Sequence, residues 1–252
     1  AWTTTPWTLP SNVALCVNPD ETYCKVKAAD GYTYYMAEAL LDKVLGGLAN
    51  EEEGVKAYEV LETYKGKDLE YKEYEPLYAC AGEAAAKQNK KGHYVTCDSY
   101  VTMTDGTGIV HIAPTFGADD AKVARDAGIP GLFMVTPRGE TRPMVDLRGR
   151  YYLTDELAPV FVEKCVDMNK YSRHAGQYVK NAYDPRFNPN GKYDEEAAAK
   201  AEDLNIELAL ELKKGGDAFR IEKQTHNYPH CWRTDKPVLY YPLDSWFIRT
   251  TA

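Results

Sequence analysis

Gly106-Thr107-Gly108-Ile109-Val110-His111-Ile112-Ala113-Pro114-Thr115-Phe116-Gly117-Ala118-Asp119-Asp120 is the stretch on which the reading of the fold turns. The run 108–113 reads as a strand, and period-two alternation puts Ile109, His111 and Ala113 on one face. Pro114 ends it. Residues 117–127 then read as a short helix, with Asp119 and Asp120 in the first turn and Gly128 beyond the end. Gly106-Thr107-Gly108 starts like a dinucleotide fingerprint. His111 stands where the third glycine belongs, however, and a strand follows instead of a helix, so that reading fails.

Upstream, the chain reads mostly as strands separated by turns. Residues 13–17 are apolar and closed by Asn18-Pro19-Asp20, a turn sequence. Residues 22–28 and 57–64 alternate Tyr or Val with polar residues, and 94–103 is a further strand. The run 36–45 has apolar residues at 37, 40, 41 and 44 before Gly46-Gly47, which predicts a helix. Downstream, 132–135 is a strand, 157–168 a helix and 182–193 a loop. The clearest helix is 194–214, with apolar positions 197, 201, 204, 208 and 212 on one face and Gly215-Gly216 closing it. Residues 218–223 and 238–241 return to strand. Strands and helices mix without regular β-α-β alternation, which predicts α+β, a barrel with helices attached.

Composition sets outer limits. The chain has 252 residues, 30 Lys+Arg against 38 Asp+Glu and a formal charge of −8. Its 44% apolar and 27% charged content is that of a folded globular chain, not a disordered one. No apolar run approaches the ~20 residues of a membrane-spanning helix. The acidic balance argues against a sequence-blind nucleic-acid coat, though not against binding one end of one nucleic acid. Six cysteines without a C-x-x-C pair read as thiols of a reducing compartment, and a cytoplasmic location is expected. The chain opens on Ala1-Trp2-Thr3-Thr4-Thr5-Pro6 and stops in Trp246-Phe247-Ile248-Arg249-Thr250-Thr251-Ala252, so an excised piece of a longer protein is expected.

Two clusters could carry chemistry. Thr3, Thr4, Thr5 and Thr8 place four hydroxyls close together, with Trp2 and Trp7 interleaved and Pro6 and Pro10 stiffening the backbone. They could hold a carbonyl, a ribose hydroxyl or a water; the plain alternative is a strand whose threonines merely suit the pleat. In the second cluster His111 shares a face with apolar neighbours, the setting of a packed core histidine. Asp119 and Asp120 are ordinary helix-dipole partners, but that dipole also favours an ionised carboxylate able to anchor an ammonium group.

Three segments resemble the editing, or connective-peptide, domain of isoleucyl-tRNA synthetase, a class I aminoacyl-tRNA synthetase. They are Trp2-Thr3-Thr4-Thr5-Pro6-Trp7-Thr8-Leu9-Pro10-Ser11-Asn12, the stretch from Gly106 to Asp120, and Tyr228-Pro229-His230-Cys231-Trp232-Arg233-Thr234-Asp235 through to Arg249. They bracket nearly the whole chain. Valyl and leucyl relatives typically carry an arginine where this chain has Thr5-Pro6 and lack a histidine at the position of His111.

The resemblance implies a single editing domain over 1–252, with 225–252 returning toward the synthetic domain, and a β-barrel core of about six strands with peripheral helices. One methylene separates isoleucine from valine, and this synthetase is the known case in which binding alone discriminates only about 150-fold. The implied activity is therefore proofreading: hydrolysis of valine mis-esterified to the 3′ end of isoleucine tRNA, and also of valyl-adenylate. Asp120 matches the family position that holds the substrate's α-ammonium, and His111 the position that limits pocket size. Phe116 and Trp7 are expected pocket walls. Thr3, Thr4, Thr5 and Thr8 match the peptide that positions the ester and the attacking water. Water is the co-substrate and no cofactor is implied; ATP and Mg belong to the parent synthetic domain. Thr234 stands where some members have the second cysteine of a zinc pair, and no second pair exists, so no metal is expected. His226, His230 and Cys231 do not alter that. Partners are the tRNA 3′ end and the remaining domains of the parent, with no membrane. The alternatives are a non-catalytic tRNA-docking insert and the editing domain of a valyl or leucyl relative.

Overall fold

The computed structural model describes residues 1–50, 52–78, 91–223, 228–234, 236–246, 248 and 250. Its strands are β1 (Ala14–Val17), β2 (Thr22–Ala28), β3 (Thr33–Ala37), β4 (Tyr58–Lys65), β5 (Tyr94–Cys97), β6 (Ile109–Ile112), β7 (Met134–Val135) and β8 (Thr141–Arg142). Its α-helices are α1 (Leu41–Leu45), α2 (Ala118–Ala127), α3 (Pro159–Cys165), α4 (Met168–Tyr171), α5 (Glu195–Lys200) and α6 (Leu204–Gly215).

β1 is short and wholly apolar, and it occupies the centre of its sheet. It runs parallel to β5 and antiparallel to β6, with Leu15 opposite His111. A strand with both edges paired and both faces covered needs no polar alternation, and Ala14, Cys16 and Val17 have no exposed surface. Beyond β6 the sheet gains one bridge from Trp2 to Val110. A second sheet has β2 between β3 and β4, all antiparallel, and β7 pairs with β8 in a two-stranded ribbon.

The mixed α+β class agrees with expectation, but the closed barrel of about six strands does not. Among the described residues the strands form three separate sheets of three, three and two strands. The reason is local. The 18–20 turn redirects the chain between β1 and β2, so their ladders never join. The first two sheets meet near Gly108 through isolated bonds: Ala37 N–H donates to Thr107 O (2.9 Å), and Tyr23 Oη donates to Gly108 O (2.7 Å).

Other boundaries moved for identifiable reasons. The helix read over 36–45 begins as strand, because Met36 and Ala37 pair with Cys24 and Tyr23; only Leu41–Leu45 is α-helical. The helix read over 194–214 is two helices. Ala201 is extended, and the Asp203 carboxylate caps a new start by accepting from Asn205 N–H. Residues 157–168 likewise divide between α3 and α4. Residues 218–223 and 238–241 carry no strand. Parts of the return segment 225–252 lie outside the described residues.

Two hydrophobic clusters result. One gathers the first sheet with α2, α3 and α6 around Ile112, Val123, Phe161 and Leu208. The other lies between the second sheet and α1, around Tyr23, Met36, Leu41 and Leu45.

Candidate active site

The threonine-rich segment is not a strand. After the Trp2 bridge it turns into a 3-10 helix, Pro6–Ser11, with Pro6 at its start. That curl stacks hydroxyls that an extended chain would send to alternate faces. Thr8 Oγ1 donates to Thr5 O (2.9 Å), and a hydroxyl has one proton to give. Its remaining contacts must therefore be accepted: from Thr5 Oγ1 at 3.3 Å and from His111 Nε2 at 2.9 Å. Thr3 Oγ1 accepts from Thr5 N–H (3.0 Å) and lies 3.4 Å from Thr5 Oγ1. Thr4 alone of the four is exposed, and its hydroxyl has no partner among the described residues.

That direction assigns the His111 proton to Nε2, and Nδ1 is buried without a hydrogen-bond partner among the described residues. Burial pushes its pKa down to about 4, so the ring is neutral at physiological pH. A neutral, tethered ring suits a wall rather than a charge.

Asp120 sits in the first turn of α2, but its carboxylate reaches back to the strand end, where Oδ2 accepts from Ala113 N–H (2.8 Å). Gly117 makes that possible. A Cβ there would lie 2.9 Å from Asp120 Cγ and 3.1 and 3.2 Å from its oxygens. Burial pushes the Asp120 pKa up to about 6, against the lowering from the Ala113 N–H. The helix-dipole expectation had the opposite sign. Desolvation outweighs it here because the carboxylate is folded inward. The group remains mostly ionised at neutral pH.

A cleft of about 1280 Å³ opens beside these residues, and its wall includes Thr3, Thr4, His111 and Asn205. The described structure thus brings His111, Thr3 and Thr4 to one cavity, with Thr8 directly behind the histidine. Asp120 is two residues' reach from the same strand but not on that wall. Trp7 is buried in the core with its ring 4.8 Å from that of Phe116. No group of three or more His, Cys, Asp or Glu able to hold a metal occurs among the described residues.

Glycine in Gly106-Thr107-Gly108 answers to packing, not to phosphate. Both glycines have positive φ; a Cβ at Gly106 would lie 2.4 Å from Trp2 Cγ, and one at Gly108 2.5 Å from Ala37 Cβ. Sequence reasoning missed Gly117, Asn205 and Tyr151. Asn205 accepts from Trp7 N–H (3.1 Å), and Tyr151 Oη donates to Trp7 O. Nothing in spacing flags partners so distant in the chain, although Gly-x-x-Asp at a helix start is a readable cue.

No family model matches the chain. Curated relatives do, over its whole length. The isoleucine-tRNA ligase of Bacteroides thetaiotaomicron is 54% identical, with all of this chain and 23% of the relative aligned. That of Porphyromonas gingivalis is 50% identical over all of this chain and 22% of the relative. Over its full length the chain is similar to one region of the isoleucine-tRNA ligases. Similarity to the same ligase of Clostridium novyi persists at 36% identity, again over the full chain and 18% of the relative. The chain therefore spans about a fifth of the length of the ligases it matches. A solved chain described as "The crystal structure of GlLeuRS-CP1" aligns with 55% of this chain and 56% of its own length, at 17% identity and a TM-score of 0.36, a likeness too loose to bear on the fold.

Proposed function

We propose that this chain is the proofreading part of an isoleucine-tRNA ligase, hydrolysing the ester that joins valine to the 3′ end of isoleucine tRNA. The observation that carries the reading is the Thr8–His111 hydrogen bond, which holds a neutral ring that lines the cleft at the position expected to limit side-chain size. A rigid wall discriminates only sterically, which is what a second sieve requires: valine enters and isoleucine does not.

Asp120 supplies the complementary charge. Its inward-turned carboxylate, ionised above about pH 6, suits an α-ammonium group arriving at the end of β6. An aminoacyl ester is already activated, so positioning and hydroxyl donors can supply the remaining catalysis. The committed protons of Thr5 and Thr8 leave the exposed Thr4 hydroxyl as the donor free to meet substrate or the attacking water. In this reading the ring of His111 is not the base: with its pKa near 4 it is too weak to take a proton from water at neutral pH.

The test is ester loss from valyl-tRNA specific for isoleucine. The chain should hydrolyse it and spare isoleucyl-tRNA; Asp120→Ala should abolish hydrolysis, and His111→Ala should admit the isoleucyl ester. Deacylation unchanged in Asp120→Ala, or continued sparing of isoleucyl-tRNA by His111→Ala, removes the corresponding role. Binding of tRNA without any ester loss would instead mark a docking insert.

A further inference from the structure

The size limit depends on where the Thr8–His111 pair stands, and that position is set from outside the threonine segment. Trp7, one residue before Thr8, has both backbone polar groups taken by side chains. Its N–H donates to Asn205 Oδ1 (3.1 Å), and its carbonyl accepts from Tyr151 Oη. The partners come from separate places in the chain, α6 and the segment after the β7–β8 ribbon.

Both partners are themselves immobilised. Asn205 Nδ2 donates to Asp203 Oδ1 (2.9 Å) and to Val179 O (3.3 Å), so all the amide's functional atoms are engaged. A flipped amide would set its NH2 group against the Trp7 N–H, so one orientation alone satisfies the network. Asp203 is also the cap of α6, accepting from Asn205 N–H (2.9 Å), which ties the amide to the helix start. Tyr151 is 1% exposed, and its ring lies in the first hydrophobic cluster. Such doubly anchored groups hold a peptide within the fractions of an ångström that a steric gate requires.

We propose that Asn205 and Tyr151 are positioning residues that clamp the Trp7 peptide and thereby hold Thr8 against His111, setting the size limit of the cleft. Neither acts on the ester. The proposal rests on the proofreading reading for its consequence, but its structural content, a clamp transmitted to the histidine proton, stands apart from catalysis.

The experiment therefore has two arms, each comparing the unaltered chain with Asn205→Ala and Tyr151→Phe. In the first, histidine is labelled with 15N and the imidazole nitrogens are followed by long-range proton–nitrogen correlation. The unaltered chain should show His111 with a slowly exchanging proton on Nε2. Both variants should exchange that proton at least about tenfold faster as the Thr8 contact loosens. In the second arm, the ratio of valyl-ester to isoleucyl-ester hydrolysis should fall at least about tenfold in both variants, the low end of what one methylene is worth. Turnover of the valyl ester should change far less in Tyr151→Phe. A general loss of stability would lower both rates together and leave the ratio unmoved.

Unchanged exchange of the His111 proton in both variants overturns the clamp, whatever the esterase result. So does an unchanged ratio in variants of an active chain. An unaltered chain that hydrolyses neither ester refutes the proofreading reading instead, and the exchange arm then decides the clamp by itself. Tyr151→Phe keeps the ring in the core and removes only the hydroxyl, so it answers even where Asn205→Ala weakens the capping region.

Discussion

Asp120 is caught between two requirements. It must be ionised to hold an ammonium group, yet it is folded inward, and burial raises its pKa to about 6. Because the folded value lies above the unfolded one of 3.8, the contribution favours folding below pH 4 and is lost as pH rises through 6. Asp120→Asn should therefore melt at higher temperature than the unaltered chain at pH 7.5, by up to about 3 kcal/mol of stability, with the gap closing below pH 4. Thermal melts across that range check it. In the unaltered chain, kcat/KM for the valyl ester should fall as pH drops through about 6. His111 has the opposite slope. Its depressed pKa favours folding above 6.5, and that contribution is lost as pH falls toward 4. Gly117→Ala tests the carboxylate's placement. The added methyl would sit 2.9 Å from Asp120 Cγ and push it off the Ala113 N–H, so KM for the ester should rise about tenfold or more with the fold intact. At this scale the sequence was legible where roles are local. Asp120 and His111 stand out as a titratable pair flanking a strand end. The sign of the Asp120 shift was not legible, because helix position is written in the sequence and burial is not.

Among the elements, the division between α5 and α6 matters most for the site. A continuous helix over 194–214 satisfies the apolar period, but Asp203 restarts the helix and so fixes where Asn205 points. Asp203→Ala should cost about 1 kcal/mol through the lost cap. It should also free one bond of the Asn205 amide, which denaturant titration together with the ester-selectivity ratio would register. Leu208 lies one turn further on with no exposed surface. Leu208→Ala should cost about 2 to 5 kcal/mol, measured by the same titration. The 3-10 curl of Pro6–Ser11 was likewise open in the sequence, since proline at a helix start and threonines in a pleat both fit local propensity. Contacts with α6 select the curl, through Asn205 and the core around Trp7.

Over the whole molecule, two clusters are joined by polar ties, and Tyr23, with no exposed surface, makes one of them. Its hydroxyl accepts from Asn18 N–H (2.9 Å) and donates to Gly108 O (2.7 Å), linking the second sheet to the turn that feeds β6. Burial lifts its pKa to about 12, so it stays protonated as that donor. Tyr23→Phe strands both partners and should destabilise the chain by about 1 to 3 kcal/mol in urea titration. The alternation that places His111 inward, the proline and glycine stops around β6 and α2, and the α+β class were all determined by the sequence alone. Each depends on residues within one or two turns of one another. The open arrangement of three sheets, the path of the hydroxyl protons and the clamp on Trp7 were decided only by tertiary structure. They join residues as far apart as Trp7 and Asn205, and whether a strand edge finds a partner or a carboxylate finds solvent depends on what else in the chain arrives there.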